Sequence, residues 1–188
     1  MKSLEEVEQI VKQRLSEKRF KHSQSVKEKC IELAKIYGED VEKAALVGIA
    51  HDIAKELSIE EKFKYCEENN LFVDEVEKEN PELLHAKIGA DIAKKELGFS
   101  ETMVKAIQYH TTGKVGMDRF AKIVFVADSI SDDRKWDGIE KGRELSKKNL
   151  DEAVLYFLEA TIAITKKRNM NLHHDSILLR DEYLINKQ

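Results

Sequence analysis

A single proline, Pro81, stands in the 188 residues, and its scarcity constrains the fold more than any other feature. Long helices tolerate such a chain, whereas a hairpin-rich sheet protein needs more turn residues. The apolar spacing agrees. Leu4, Val7, Val11 and Leu15 form one helical stripe, with Ser3 and Glu6 spaced as a capping box. His22, Val26, Cys30, Leu33 and Tyr37 form a second, which Gly38 stops. A third helix is expected from Val41 to Ala54, apolar nearly all round through AALVGIAHDIA. Ser58 and Glu61 open a short helix through Phe63, and residues 69–81 read as a connector with one helical turn. Pro81 starts a segment over 82–97 that Gly98 ends, and Ser100 caps the next, up to His110. After the TTGKVG loop, Asp118 caps AKIVFVADSI. Its IVFV core suits a buried strand, but Phe120, Ile123, Val124, Ala127 and Asp128 keep helical spacing and no other clear strand accompanies it. A turn over 131–138, a helix Leu150–Lys167, a loop over 169–175 and a last helix Ser176–Leu184 complete the reading. The expectation is an all-α fold: one compact domain over 1–188 with about eight to ten helices in an irregular bundle.

Composition narrows the function classes. Lys plus Arg number 32 against 36 Asp plus Glu, a net charge of −4, which argues against a nucleic-acid partner gripped over a broad basic face. Two cysteines, Cys30 and Cys66, make neither a disulfide framework nor a zinc knuckle and suit a reducing cytoplasm. The charged N-terminus has no apolar signal region, and no run approaches the roughly 18 apolar residues of a membrane span. The amphipathic first helix can pack on its own domain or on a partner, so a homodimer stays open.

The chemistry-bearing residues stand out against this apolar background. Asp52 follows His51 in the most apolar segment, and burying a carboxylate there is costly unless a cation or hydrogen bonds compensate. For one such pair, a His–Asp hydrogen bond between helices suffices. The chain also carries Asp128 in the apolar VADS string, His22 on a buried stripe, His85 after Leu83 and Leu84, and His110 at a helix end. Four imidazoles and two carboxylates near apolar faces are explained together by a centre of divalent transition ions. Their wide spacing requires tertiary convergence.

The array His22, His51-Asp52 and Asp128 resembles the signature of the HD-domain superfamily of metal-dependent phosphohydrolases. RFKHSQSV (19–26), LVGIAHDIAKEL (46–57), LLHAKIGA (83–90), AIQYHTTG (106–113), AKIVFVADSISDDR (121–134) and LHHDSI (172–177) are similar, in order, to the YqeK family. The resemblance implies an HD core over about 18–134, with C-terminal helices of 150–185 packed on it. It implies symmetrical hydrolysis of diadenosine tetraphosphate to two ADP by a metal-activated hydroxide, with iron as the metal. Manganese, cobalt or nickel suit the same donors.

By that resemblance His22, His51, Asp52 and Asp128 hold the firmer metal. His85 and His110 face a second metal with Asp52 bridging, or else hydrogen-bond phosphate. Arg19 matches a phosphate-contacting arginine and joins Asp52, His85 and His110 in the catalytic set. Lys55, Glu56, Leu57 and Ser58 match a nucleotide-contacting stretch, and so do Arg134 and the loop Met170, Asn171, Leu172, His173, His174 and Asp175. Asp128 completes the implied substrate contacts; apart from the resemblance, Tyr109 and Trp136 offer ring faces for stacking on adenine, although aromatics near a helix end are more often partial core. Family strings often carry an acidic residue and a proline soon after VAD, where this chain reads SISDDR. Asp132 and Asp133 therefore read as surface turn residues or as partners of the ligands. Other HD-domain nucleotide phosphohydrolases or phosphodiesterases use the same dyad, and a non-enzymatic nucleotide-binding helical module is the alternative from another class.

Overall fold

Ser3 begins the first helix, accepting from the Glu6 N–H while the Glu6 side chain accepts from the Ser3 N–H, so both arms of the capping box form. The structure, a computed structural model, describes residues 1–185. Helix α1 (Leu4–Arg14) buries Val7 and Val11 on α3 (Val41–Ala50), so the middle of its apolar face is covered within its own chain while Leu4 stays exposed. Between them in sequence, α2 (Glu17–Tyr37) ends at Gly38, whose left-handed φ of 71° is open to glycine at little cost.

The path continues through α4 (Ile59–Glu68), α5 (Glu75–Glu79), a 3₁₀ turn at Pro81–Leu83 and α6 (Leu84–Ile92). A π-helical stretch, Ala93–Leu97, extends α6 to Gly98. Helices α7 (Glu101–Tyr109) and α8 (Arg119–Ile130) follow, then α9 (Ile139–Lys148), α10 (Leu150–Lys167) and α11 (His174–Ile185). No strand occurs among the described residues. IVFV lies inside α8, with Ile123, Val124, Phe125 and Val126 all buried.

Helix α8 is central: α2, α3, α7, α9 and α10 all pack on it, while α6 leans on α7 and α11 on α10. One apolar core runs through these helices from Val7 to Leu179. The structure departs from the sequence expectation in two places that matter. Helix α3 ends at Ala50, not Ala54, and residues 51–56 form successive turns, with the Ile53 N–H donating to Ala50 O at 3.0 Å and the Lys55 N–H to Asp52 O at 2.8 Å. Helix α9, which the sequence did not suggest, lies between the 131–138 turn and α10.

Candidate metal centre

His51 is the C-cap of α3, so the dyad sits where the helix ladder has stopped and both side chains turn into the interior. His51 is fully buried and Asp52 is 3% exposed. His22 enters from α2, His85 from the start of α6, His110 from the C-cap of α7 and Asp128 from the last turn of α8.

Each imidazole uses Nδ1 in the same way. His51 Nδ1 meets Gly48 O at 2.8 Å, His110 Nδ1 meets Ile107 O at 2.6 Å, and His85 Nδ1 meets Glu82 O. A carbonyl oxygen only accepts, so all three Nδ1 atoms carry the proton and donate. His22 Nδ1 donates to the Asp133 carboxylate, at 2.9 and 3.0 Å from its two oxygens. Four Nε2 lone pairs are thereby left facing inward, toward carboxylates that also only accept.

The distances describe two groups joined by Asp52. Asp52 Oδ2 lies 3.6 Å from His51 Nε2 and 3.8 Å from His22 Nε2; Oδ1 lies 3.2 Å from His85 Nε2 and 3.6 Å from His110 Nε2. Asp128 Oδ1 is 3.1 Å from His22 Nε2. Two triads of ligand atoms, His22–His51–Asp128 and His51–Asp52–His110, each fall within 4.8 Å. His22 Nε2 and His51 Nε2 are buried and have no hydrogen-bond partner, a condition they share with Ser23 Oγ among the described residues. The 3.1 Å approach of His22 to Asp128 therefore lacks hydrogen-bond geometry. Acceptors aimed at acceptors repel and leave buried lone pairs unsatisfied, and a divalent cation resolves that conflict. The nitrogen and oxygen donors fit a transition ion of borderline character.

The protonation preferences follow from the same crowding. Burial pulls the His51 pKa down to about 4, despite the opposing charge of Asp52. Burial also lowers His85, with Asp52 opposing. Burial works against charging His22, but Asp128 and Asp133 outweigh it and its pKa is raised. Burial disfavours the Asp52 carboxylate, yet His51, His110 and His85 hold it well below the usual range. At Asp128 burial is likewise outweighed, by His22 and Arg134.

A cavity of about 360 Å³ opens over the centre, lined on one side by Arg19, Asp52, Lys55, His85, His110 and Asp128. Arg134, Phe125, Trp136, Phe157 and Ile164 line it too. Arg19 Nη1 is 3.1 Å from Asp52 Oδ2, and Arg134 Nη2 is 2.6 Å from Asp128 Oδ1. Lys55 Nζ stands 3.5 Å from His85 Nδ1 and 3.6 Å from Glu82 Oε2.

The other implied contacts lie elsewhere. Glu56 accepts from the Ser16 hydroxyl at 2.6 Å, Leu57 packs against the core, and Ser58 caps α4. Tyr109, His173, His174 and Asp175 line a separate cavity of about 310 Å³ with Asp74 and Lys87. Met170 and Asn171 are exposed, Asn171 donating to Glu79, while Leu172 packs on the core. Asp74, His173 and His174 form a third group of ligand-type atoms. Its hydrogen bonds already explain it: the Asp175 N–H donates to His173 Nδ1 at 3.2 Å, so Nε2 carries the proton and donates to Asp74 Oδ2 at 3.0 Å.

Two residues gain weight only in three dimensions. Thr111 Oγ1 is 3.2 Å from His110 Nε2 and 3.4 Å from His85 Nε2. Asp133 reaches His22 across 111 positions of sequence, a pairing no local signal reveals.

Comparison with known proteins agrees with this architecture. The family described as "HD domain" matches residues 19–133, and the chain belongs to it. The symmetrical bis(5'-nucleosyl)-tetraphosphatase of Halalkalibacterium halodurans is 36% identical over 186 residues, covering 96% of each chain. The enzyme of the same name from Bacillus subtilis is 34% identical over 175 residues, covering 93% of this chain and 94% of its own. A crystal structure described as a predicted HD superfamily hydrolase involved in NAD metabolism, from Clostridium acetobutylicum, superposes with a TM-score of 0.94 at 34% identity over the full length of both chains. Within the HD-domain superfamily, then, this chain is closely related to the symmetrical bis(5'-nucleosyl)-tetraphosphatases, the YqeK-like group.

Proposed function

We propose that this protein is a metal-dependent hydrolase that cleaves diadenosine tetraphosphate symmetrically into two ADP. One observation carries the reading: four inward imidazole lone pairs, the buried Asp52 carboxylate and the partly exposed Asp128 carboxylate converge beneath a cavity rimmed by Arg19, Lys55 and Arg134. That arrangement suits an anionic substrate held against cations, and relatives bearing the tetraphosphatase name span nearly the same length.

His22, His51, Asp52 and Asp128 would hold one metal, and His85 and His110 would hold a second together with Asp52. A bound divalent ion supplies Lewis acidity toward phosphoryl oxygen and toward water. The chain's own groups do the rest. Arg19, Lys55 and Arg134 bind the outer phosphates by charge-assisted hydrogen bonds and fix the tetraphosphate in line. The Thr111 hydroxyl stands beside His85 and His110 and donates to a phosphate oxygen that enters there. Phe125, Phe157 and Trp136 give the cavity an apolar wall that keeps bulk water from the reacting phosphates. The bond broken joins a phosphorus to the central bridging oxygen. Water's oxygen ends in one ADP, and the bridging oxygen leaves with the other.

Iron is the proposed native metal. Metal analysis of protein purified without an affinity tag tests this, with manganese, cobalt and nickel measured alongside. Hydrolysis in oxygen-18 water tests the reaction itself. Two ADP, one of each pair labelled, are expected; ATP plus AMP, or a better rate on mononucleotides, would overturn the symmetrical assignment.

A further inference from the structure

We propose that Asp133 is a positioning residue of the metal centre: its carboxylate fixes the ring and the proton of His22, and so sets how tightly the centre holds a divalent cation. The inference rests on the metal-dependent reading above and concerns the SISDDR turn, where this chain leaves the pattern expected after VAD.

His51, His85 and His110 each give Nδ1–H to a main-chain carbonyl three residues earlier, Gly48, Glu82 and Ile107. Those acceptors belong to the backbone, and substitution of side chains leaves them in place. His22 lies inside α2, where main-chain carbonyls serve the helix ladder, and its Nδ1 goes instead to a side chain, Asp133. Outer carboxylates of this kind fix the tautomer of a ligating imidazole and raise its basicity. At His22 the effect is to hold the ring's proton at Nδ1 and aim Nε2 at the centre, where it has no hydrogen-bond partner.

The turn is built to deliver that carboxylate. Arg143 donates to three of its carbonyls, Ile130, Ser131 and Arg134, at 3.2, 3.0 and 3.3 Å. The Asp132 N–H donates to Ser25 Oγ on α2 at 2.8 Å, and the Ser131 hydroxyl to Asp128 O at 3.1 Å. The pinned turn thus points Asp133 at His22 and Arg134 at Asp128, one residue to each of two ligands. Asp132, between Ser131 and Asp133, pairs with Lys29 on the surface at 2.7 Å.

The test is cobalt(II) binding to the cation-free full-length protein, by competition with a chromophoric chelator. Asp133→Ala should weaken binding about 10–100-fold. Asp133→Asn keeps an oxygen acceptor and should fall between Asp133→Ala and the unaltered protein. Asp132→Ala, which removes the surface pair and leaves the His22 contact, should bind like the unaltered protein. The visible spectrum of the cobalt-loaded Asp133→Ala protein should shift, while melting of its cation-free form moves by no more than about 2 °C, as for an ordinary surface substitution. Asp133→Ala affinity within twofold of the unaltered protein, or an equal loss in Asp132→Ala, would overturn the proposal and leave the functional reading intact. An unaltered protein that takes up no cobalt would overturn both.

Discussion

His22 and His51 each bury an Nε2 atom that nothing in the protein satisfies, and the chemistry of the whole molecule turns on that pair. Asp52 matters because its two oxygens face different imidazole pairs. Asp52→Asn, nearly the same size, should cut turnover by at least about 100-fold, since losing a shared ligand costs no less than losing an outer partner. Steady-state kinetics with saturating metal check this, and activity within threefold of the unaltered enzyme would contradict it. The candidate ligand types were legible from sequence because four imidazoles and two carboxylates on apolar faces are too many for separate buried hydrogen bonds, although a single His–Asp pair would not be. The division of labour was not. Glu56 stood in the stretch that resembles a nucleotide contact, but the turns after Ala50 swing it back to Ser16. Asp133 read as a surface turn residue or a partner of the ligands, and it is both: half of its side chain is exposed while it holds His22.

At the scale of elements, α9 shows why pattern reading fails. Its sequence is IEKGRELSKK, and its buried positions are Ile139, Gly142 and Ser146. A face built from a glycine and a serine leaves no apolar stripe to detect, yet it allows close packing on α10. A Cβ at Gly142 would run into the ring of Phe157. Gly142→Ala should therefore destabilise by about 1–3 kcal/mol through overpacking, although alanine favours helix by up to ~1 kcal/mol. Urea unfolding measures the balance, and a more stable variant would refute the close approach. Conversely, α1 was plain because Val7, Val11 and the Ser3–Glu6 box are all local signals. The C-terminal loop is tied to α5 through Asp74, which caps that helix at Glu77 N–H and accepts from His173. Asp74→Ala should cost about 1 kcal/mol from the cap alone. Burial opposes ionisation of Asp74, but the Glu77 N–H and His173 outweigh it and lower its pKa from 3.8. A depressed carboxyl pKa means a contribution complete above the unfolded value and lost as pH falls through the folded one. The gap between Asp74→Ala and the unaltered protein should then hold between about pH 7 and 5 and shrink only in stronger acid. A gap that closes already near pH 6 would show that another group controls the tie.

For the whole molecule, the candidate metal-ligating side chains come from α2, α6, α7, α8 and the end of α3, the helices around the central core. A cation that bridges so many elements binds the native state and not the unfolded chain. At a free concentration about 100 times its Kd it adds roughly 2.7 kcal/mol, equivalent to about 5–10 °C in Tm for a chain of this length. Chelation followed by calorimetry checks this, and an unchanged Tm would mean that the centre is not tied to the fold. No helix among the described residues is long and apolar enough to cross a membrane. The all-helical class was legible from one proline and the apolar periods, because both are properties of local sequence. Convergence of six side chains from five elements was legible from their shared apolar settings and the family resemblance, but not from their spacing, because spacing along the chain carries no record of which helix ends meet.

The most direct test of the account is anomalous diffraction from crystals of untagged protein loaded with iron or cobalt, recorded at the metal edge. A peak is expected among His22, His51, Asp52 and Asp128, with a second toward His85 and His110. Loaded crystals that diffract well and show no anomalous density among these side chains would contradict it.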